Sequence, residues 1–167
     1  MFGDNPSLFY KLVENISFGF GEWVPIPEFK GRLDGNGRNV WFGEIEDGEE
    51  FTGLFRTNHG TIEKLNVYGM IRVTGGGVSA GIIAGLNEGI IRQCNVDTSG
   101  TSKGGGAYMI ENIFSGSSAG GIAGVNNGEI YQCVNYGRIY SYGGRDAIAA
   151  ENNGTIRGCS DHGELLP

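Results

Sequence analysis

Long apolar runs are missing from this 167-residue chain. Without a stretch of about eighteen apolar residues, no membrane-spanning helix is expected. Bases are outnumbered by acids, 12 to 19, for a formal net charge of −7. Nucleic acid is therefore not expected as a partner, because phosphate contacts need Lys and Arg. Charged residues make up only 19%, below the roughly 25% of ordinary globular domains, which argues against long surface helices. The start, Met1-Phe2-Gly3-Asp4-Asn5-Pro6, lacks a basic and then an apolar region, so no signal peptide is expected in it. Histidine occurs twice, as His59 and His162, and proline 4 times. No Cys-x-x-Cys, His-Glu-x-x-His or Gly-x-Ser-x-Gly occurs, so the sequence offers no zinc motif and no nucleophile elbow. No metal or cofactor is expected.

Glycine is present in excess, at 32 residues against a usual share of roughly 7%. Its spacing is regular. Residues 79–89, Ser-Ala-Gly-Ile-Ile-Ala-Gly-Leu-Asn-Glu-Gly, return at 118–128 as Ser-Ala-Gly-Gly-Ile-Ala-Gly-Val-Asn-Asn-Gly, identical at 8 of 11 positions. Alignment on Asn58, Asn87, Asn126 and Asn152 gives spacings of 29, 39 and 26 residues. Each Asn opens Asn-x-Gly-x-Ile-x-x-(Leu or Cys), which places Ile62, Ile91, Ile130 and Ile156 in one equivalent position. Leu65, Cys94, Cys133 and Cys159 occupy the last position of the pattern. Units of this length hold about three short strands with turns, too short for the helical repeats of roughly 33–47 residues. A unit with one apolar side cannot bury it alone, so the units are expected to coil and stack about 4.8 Å apart. The expectation is an all-β parallel β-helix, or solenoid, of about four to five coils. Its interior column is Ile62, Ile91, Ile130 and Ile156, and one corner carries a ladder of Asn58, Asn87, Asn126 and Asn152. Ala84, Gly85, Ala123, Gly124, Ala149 and Ala150 form a small set that lets the wall turn tightly.

The chain is expected to form a single domain, 1–167. Residues 1–51 make an N-terminal cap and opening coil, and 52–167 carry the repeats. Half of the eighteen aromatic residues fall in 1–50, including Trp23 and Trp41, as suits an atypical terminal unit. Tyr10, Leu12, Ile16 and Phe18 share one parity and predict strand; the competing reading is a short amphipathic helix over 7–15. Asp34-Gly35-Asn36-Gly37 predicts a tight turn between strands. Glu44–Glu50 reads as an acidic loop, solvated rather than calcium-binding because its spacing does not match an EF-hand. The longest spacing holds about ten extra residues, placed in a surface loop at about 97–118. The three cysteines share a position with Leu65 and are expected to be buried, unpaired thiols.

Gly53-Leu54-Phe55, Ile82-Ile83-Ala84-Gly85 and Gly121-Ile122-Ala123-Gly124, each leading into Asn-x-Gly-x-Ile, resemble the GLUG repeat. Phe29–Gly37 is similar to the segment that commonly precedes such repeats. The last unit departs from the pattern, with Ala147 and Ala150 where glycines are expected. The resemblance implies a right-handed parallel β-helix and an extracellular or bacterial cell-surface address, as in adhesin-like proteins and regions accompanying IgA-specific metalloproteases. It implies no reaction. An enzyme is therefore not expected. The alternative is a polysaccharide-degrading β-helix enzyme or an accessory carbohydrate-binding module; Asp161-His162-Gly163 is the nearest echo of the hydrolase motifs. The expected role is an adhesive or ligand-binding segment or a rigid spacer, monomeric or part of a longer chain. Its partner would be a surface protein or glycan of a host or neighbouring cell. Strand alternation from Ile139 sends Tyr140 and Tyr142 outward, with Tyr140 in the position of Arg72 and Tyr136 close in sequence. Tyr136, Tyr140, Tyr142 and Arg72 are the candidate binding residues, because exposed Tyr and Arg carry binding hot spots.

Overall fold

Strands dominate because apolar and polar residues alternate in short runs broken by Asn-x-Gly turns. Asn66–Val73 shows this best: its odd-numbered members Val67, Gly69, Ile71 and Val73 are buried and the others are partly exposed. The computed structural model describes residues 5–19, 23–97 and 109–167. Among these there is no helix, and every strand pairing is parallel. The inserted segment at 97–118 is described at Asp97, the end of a strand, and again from 109 onward, where Ile110–Asn112 forms a strand. The remainder of that loop lies outside the described residues.

Four sheets are visited in a constant order. A five-stranded sheet holds Ile26–Phe29, Phe55–Asn58, Ala84–Asn87, Ala123–Asn126 and Ala149–Asn152. A six-stranded sheet follows, with Phe9–Lys11, Arg32–Asp34, Thr61–Glu63, Ile90–Arg92, Glu129–Tyr131 and Thr155–Arg157. The chain then enters a nine-stranded sheet built around the long strands Asn39–Asp47 and Asn66–Val73. A four-stranded sheet, Phe51–Thr52, Ser79–Gly81, Ser118–Gly120 and Gly144–Asp146, is visited before each return to the five-stranded sheet from residue 55 onward. In the nine-stranded sheet each long strand serves two positions. The first half of Asn66–Val73 pairs onward to Asn95–Asp97 and its second half to Ile110–Asn112.

Register follows the repeat. Tyr10, Leu33, Ile62, Ile91, Ile130 and Ile156 are consecutive partners across the six-stranded sheet. Ile62, Ile91 and Ile130 are fully buried, whereas Ile156 is only half-buried because its strand is the sheet's last. The segment before the repeats joins the same register: Phe29 pairs with Asn58, and Val40 with Val67. The helix alternative for 7–15 is not adopted; Phe9–Lys11 is strand. The acidic stretch also differs from expectation. Residues 44–47 are not loop but the end of Asn39–Asp47, because Ile45 points into the core between Glu44 and Glu46. A register shift between Trp41 and Glu44 adds one residue and brings Phe42 inward. Gly69 of the next pass leaves room for that ring; a Cβ there would lie 2.2 Å from the Phe42 side chain.

The Asn-x-Gly turn explains itself in hydrogen bonds. Asn58 Nδ2 donates to Asn87 Oδ1 at 2.8 Å, Asn87 to Asn126 at 2.8 Å, and Asn126 to Asn152 at 2.7 Å. The Asn58 carbonyl accepts both the Glu88 and Gly89 N–H groups, at 2.8 and 2.9 Å, and the Asn87 carbonyl does the same for Asn127 and Gly128. The glycine is required by approach of the chain below: a Cβ on Gly89 would lie 2.1 Å from the Gly60 carbonyl oxygen. A second corner repeats this chemistry, with Asn135 Nδ2 donating to Asp161 Oδ1 at 2.8 Å and Gly137 N–H to Asn135 Oδ1 at 3.0 Å. Buried polar groups must be hydrogen-bonded to be tolerated, and these are.

Position along the ladder sets the cost of breaking it. Asn87→Ala leaves a buried donor on Asn58 and a buried acceptor on Asn126 without their partners. It is expected to destabilise by about 2–4 kcal/mol. Asn152 is exposed at the ladder's end, and Asn152→Ala is expected to cost below about 1 kcal/mol. Urea unfolding of both variants gives the comparison; equal losses would contradict the ladder's role.

Candidate functional site

Two outward-facing regions gather side chains from different passes. The first lies on the six-stranded sheet, where the register column reads Asp34, Glu63, Arg92, Tyr131, Arg157. The Glu63 side chain is only 2% exposed, although it sits on an outer face. Arg32 covers it from one side, with its Nε donating to Oε1 at 2.7 Å, and Arg92 from the other, with Nε donating to Oε2 at 2.6 Å. Arg92 also donates to the Tyr131 hydroxyl at 2.7 Å, and the Arg157 guanidinium lies 5.0 Å from the Tyr131 ring centre. Burial alone would push the Glu63 carboxyl up. The hydrogen bonds and charges of Arg32 and Arg92 outweigh it and hold the carboxyl below its ordinary value. This is a structural clamp with its charges satisfied.

The clamp predicts an acid-sensitive contribution to stability. A carboxyl held low in the folded state stabilises fully above its unfolded value, about 4.3, and this contribution is lost as pH falls through the folded value. Glu63→Gln leaves Arg32 and Arg92 facing each other. It is expected to cost about 2 kcal/mol at pH 7, less than the ~3–5 of a wholly buried pair because both arginines reach water. The difference between variant and parent should shrink below about pH 4, as followed by thermal melts across pH. A pH-independent difference would contradict the clamp.

The second region is the outer face of the nine-stranded sheet. On one leg, Trp41, Tyr68 and Asp97 are successive register partners. Tyr136 and His162 continue the column, one residue beyond the paired Val96, Asn135 and Asp161. The Trp41 and Tyr68 rings stack with centres 5.3 Å apart and planes 19° apart; Tyr136 and His162 stack at 5.4 Å and 24°. Beside this column runs an outward amide ladder, Asn66 Nδ2 to Asn39 Oδ1 at 3.0 Å and Asn95 Nδ2 to Asn66 Oδ1 at 2.9 Å. Between the two ring pairs lies a recess of about 340 Å³ lined by Asn66, Tyr68, Asn95, Asp97 and Tyr136.

The other leg carries Glu46, Arg72, Glu111 and Tyr140 in one column. Arg72 and Tyr140 therefore share a face, with Glu111 between them. Arg72 is committed: it meets Glu44 at 2.8 Å, Glu46 at 2.6 Å and Glu111 at 3.2 Å. Hydrogen bonds to Glu111 and Glu46 raise its pKa, so its cation is locked in place. Tyr140 and Tyr142 pair as tilted rings 5.3 Å apart, and Tyr142 is 58% exposed. Tyr136 stands apart from them, on the first leg. The expected group of Tyr136, Tyr140, Tyr142 and Arg72 thus divides in two. Its arginine cross-links the acidic strand end while its side chain stays partly exposed. The Trp41, Tyr68 and Asp97 members were legible only in the triplets Asn39-Val40-Trp41, Asn66-Val67-Tyr68 and Asn95-Val96-Asp97, where the third position varies in type but not in place, and His162, in Ser160-Asp161-His162, carried no such signal. Asp161-His162-Gly163 serves a corner: Asp161 Oδ1 accepts from Asn135 and from the Gly163 N–H, and His162 stacks on Tyr136.

Comparison with known proteins returns no matching family, no matching curated protein and no matching solved structure.

The cysteines sit where Leu65 does, but not all are enclosed. Cys94 and Cys133 are buried and Cys159 is half-buried, for the same reason as Ile156. All three are free thiols. Cys159 draws the Cys133 thiol down, but the contact with Cys94 and burial outweigh it and push that thiol well up. Contact with Cys133, then burial, push Cys159 up as well. Thiol titration of the native protein should show Cys159 reacting first, slowly, with Cys94 and Cys133 protected until denaturation exposes all three. Fast native reaction of two thiols would contradict this packing.

Proposed function

We propose that the chain is a right-handed parallel β-helix serving as a non-catalytic module of a bacterial surface or secreted protein. In this reading the four parallel sheets are the walls of one coil. The passes 26–52, 55–81, 84–120 and 123–146 are complete turns, 149–166 is a partial turn, and residues before 26 form the cap. The amide ladder through Asn58, Asn87, Asn126 and Asn152 is the observation that carries the reading. It ties each pass to the next by side chain as well as backbone, giving a stiff support on which outward residues keep fixed spacing. The GLUG-like residues Gly53–Phe55, Ile82–Gly85 and Gly121–Gly124 support the extracellular address. The module acts as a rigid spacer that also presents the outer face of the nine-stranded sheet, with Tyr136, Tyr140 and Tyr142, to a surface protein or glycan.

Two measurements test it together. Hydrogen exchange should show the passes from 55 to 146 opening as one cooperative unit. Incubation with plant and bacterial polysaccharides should release no reducing ends and no unsaturated products. Passes that open independently would sink the rigid-support reading, and turnover of any polysaccharide would replace the module with an enzyme.

A further inference from the structure

Each ring flanking the recess on the nine-stranded sheet is already backed on its far side, Tyr68 by Trp41 and Tyr136 by His162. The walls are therefore held before any ligand arrives. Asp97 occupies the single register position between them. The backbones that carry Tyr68 and Tyr136 are thus two strand spacings apart, about 9.6 Å. Ring-face contacts settle at centre distances from about 4.5 Å, so two such contacts, one on each wall, fill that span with one ring-sized group. The rim is polar. Asn66 spends both amide hydrogens on Gly37 and Asn39 and can only accept further, Asn95 keeps a second amide hydrogen and its Oδ1 beyond its bond to Asn66, and Asp97 brings a carboxylate with about four acceptor positions, so that other bonds to it leave capacity for a ligand.

We propose that this recess is a subsite for one pyranose unit of a neutral glycan, deepening the presentation role proposed above and resting on it. A sugar ring has apolar C–H faces and a belt of hydroxyl groups. The faces match Tyr68 and Tyr136, and the equatorial hydroxyls match Asn66, Asn95 and Asp97, which a flat aromatic ligand would leave without hydrogen-bond partners. A quaternary ammonium ligand could lie against the rings and Asp97 but has no N–H or O–H to donate to the Asn66 and Asn95 carbonyls.

The test is calorimetric titration of the whole protein with cellotetraose, xylotetraose, mannotetraose and N-acetylchitotetraose, with Trp41 fluorescence in a Trp23→Phe background as a second readout. Saturable binding of at least one is expected. Tyr136→Ala should weaken it by about tenfold or more, the size of one lost hot-spot contact, and Asp97→Asn should weaken it with little change in fold. The Tyr140→Ala/Tyr142→Ala pair, on the other leg, should bind normally. Circular dichroism and melting temperature accompany each variant. If Tyr136→Ala melts early, the nearly isosteric Asp97→Asn decides. Binding that survives both Tyr136→Ala and Asp97→Asn, or that is lost only in the Tyr140/Tyr142 pair, overturns the subsite. So does the absence of binding to all four sugars at about 10 mM, a limit set by weak affinities near 1 mM. Binding of tetramethylammonium in their place would mark a cation cage and also overturn it. None of these failures touches the rigid-support reading, which rests on cooperative exchange and the lack of turnover.

Discussion

Everything in this chain depends on the closeness of one pass to the next. Parallel strands stacked about 4.8 Å apart satisfy their backbone groups, but corners between sheets have no ladder of their own. Here the corner is sealed by asparagine. Its Oδ1 accepts the i+2 N–H, its Nδ2 donates to the asparagine of the next pass, and its carbonyl accepts two N–H groups from that pass. A buried amide without these partners would cost on the order of 1–3 kcal/mol per unmet group. With them, a polar residue at the edge of an apolar core specifies register instead of weakening it.

The same closeness dictates the small residues. Gly60, Gly89, Gly128 and Gly154 all sit where a Cβ would lie 2.1 Å from the carbonyl oxygen of the pass below. Where passes differ in bulk, the interior compensates: Phe42 fills the space that Gly69 leaves, and Met109 the space that Gly137 leaves. The four glycines of the first corner thus answer a different need from Gly69 and from Gly137 of the second corner. The first four allow backbone approach and the other two allow a large neighbour.

Outward residues obey a looser rule. Nothing in the core decides whether an outward position holds Arg, Glu or Tyr, so these columns carry chemistry. Arg32 and Arg92 close over Glu63 on one sheet, and on another the column Glu46, Arg72, Glu111 alternates in sign, with Glu44 also on Arg72. Alternation of charge along a column is the outward counterpart of the inward aliphatic column. Both exploit the fact that residue n of one pass meets its equivalent in the next. The column Trp41, Tyr68, Asp97, Tyr136, His162 breaks that pattern, with two ring pairs around one acid, and there the surface offers a recess.

By itself the sequence determined the repeat, the strand content, the inward column through Ile62, Ile91 and Ile130, and the asparagine corner. These rest on local rules, period-two alternation and the Asn-x-Gly turn, which act within a few residues. The fall in burial at Ile156 and Cys159 was not legible, because it depends on a strand having no successor rather than on the residue itself. The second corner, at Asn135 and Asp161, carried the same Asn-x-Gly or Asp-x-Gly signature and was readable in principle. Only the tertiary structure decided which outward residues become neighbours. Glu63 finds Arg92 and Tyr68 finds Trp41 across 27–29 residues of chain, and Arg72 finds Glu111 across 39. Those pairings turn on the exact length of each pass and on the extra residue beside Phe42. A one-residue change in either would move every outward partner by one position and turn it to the other face.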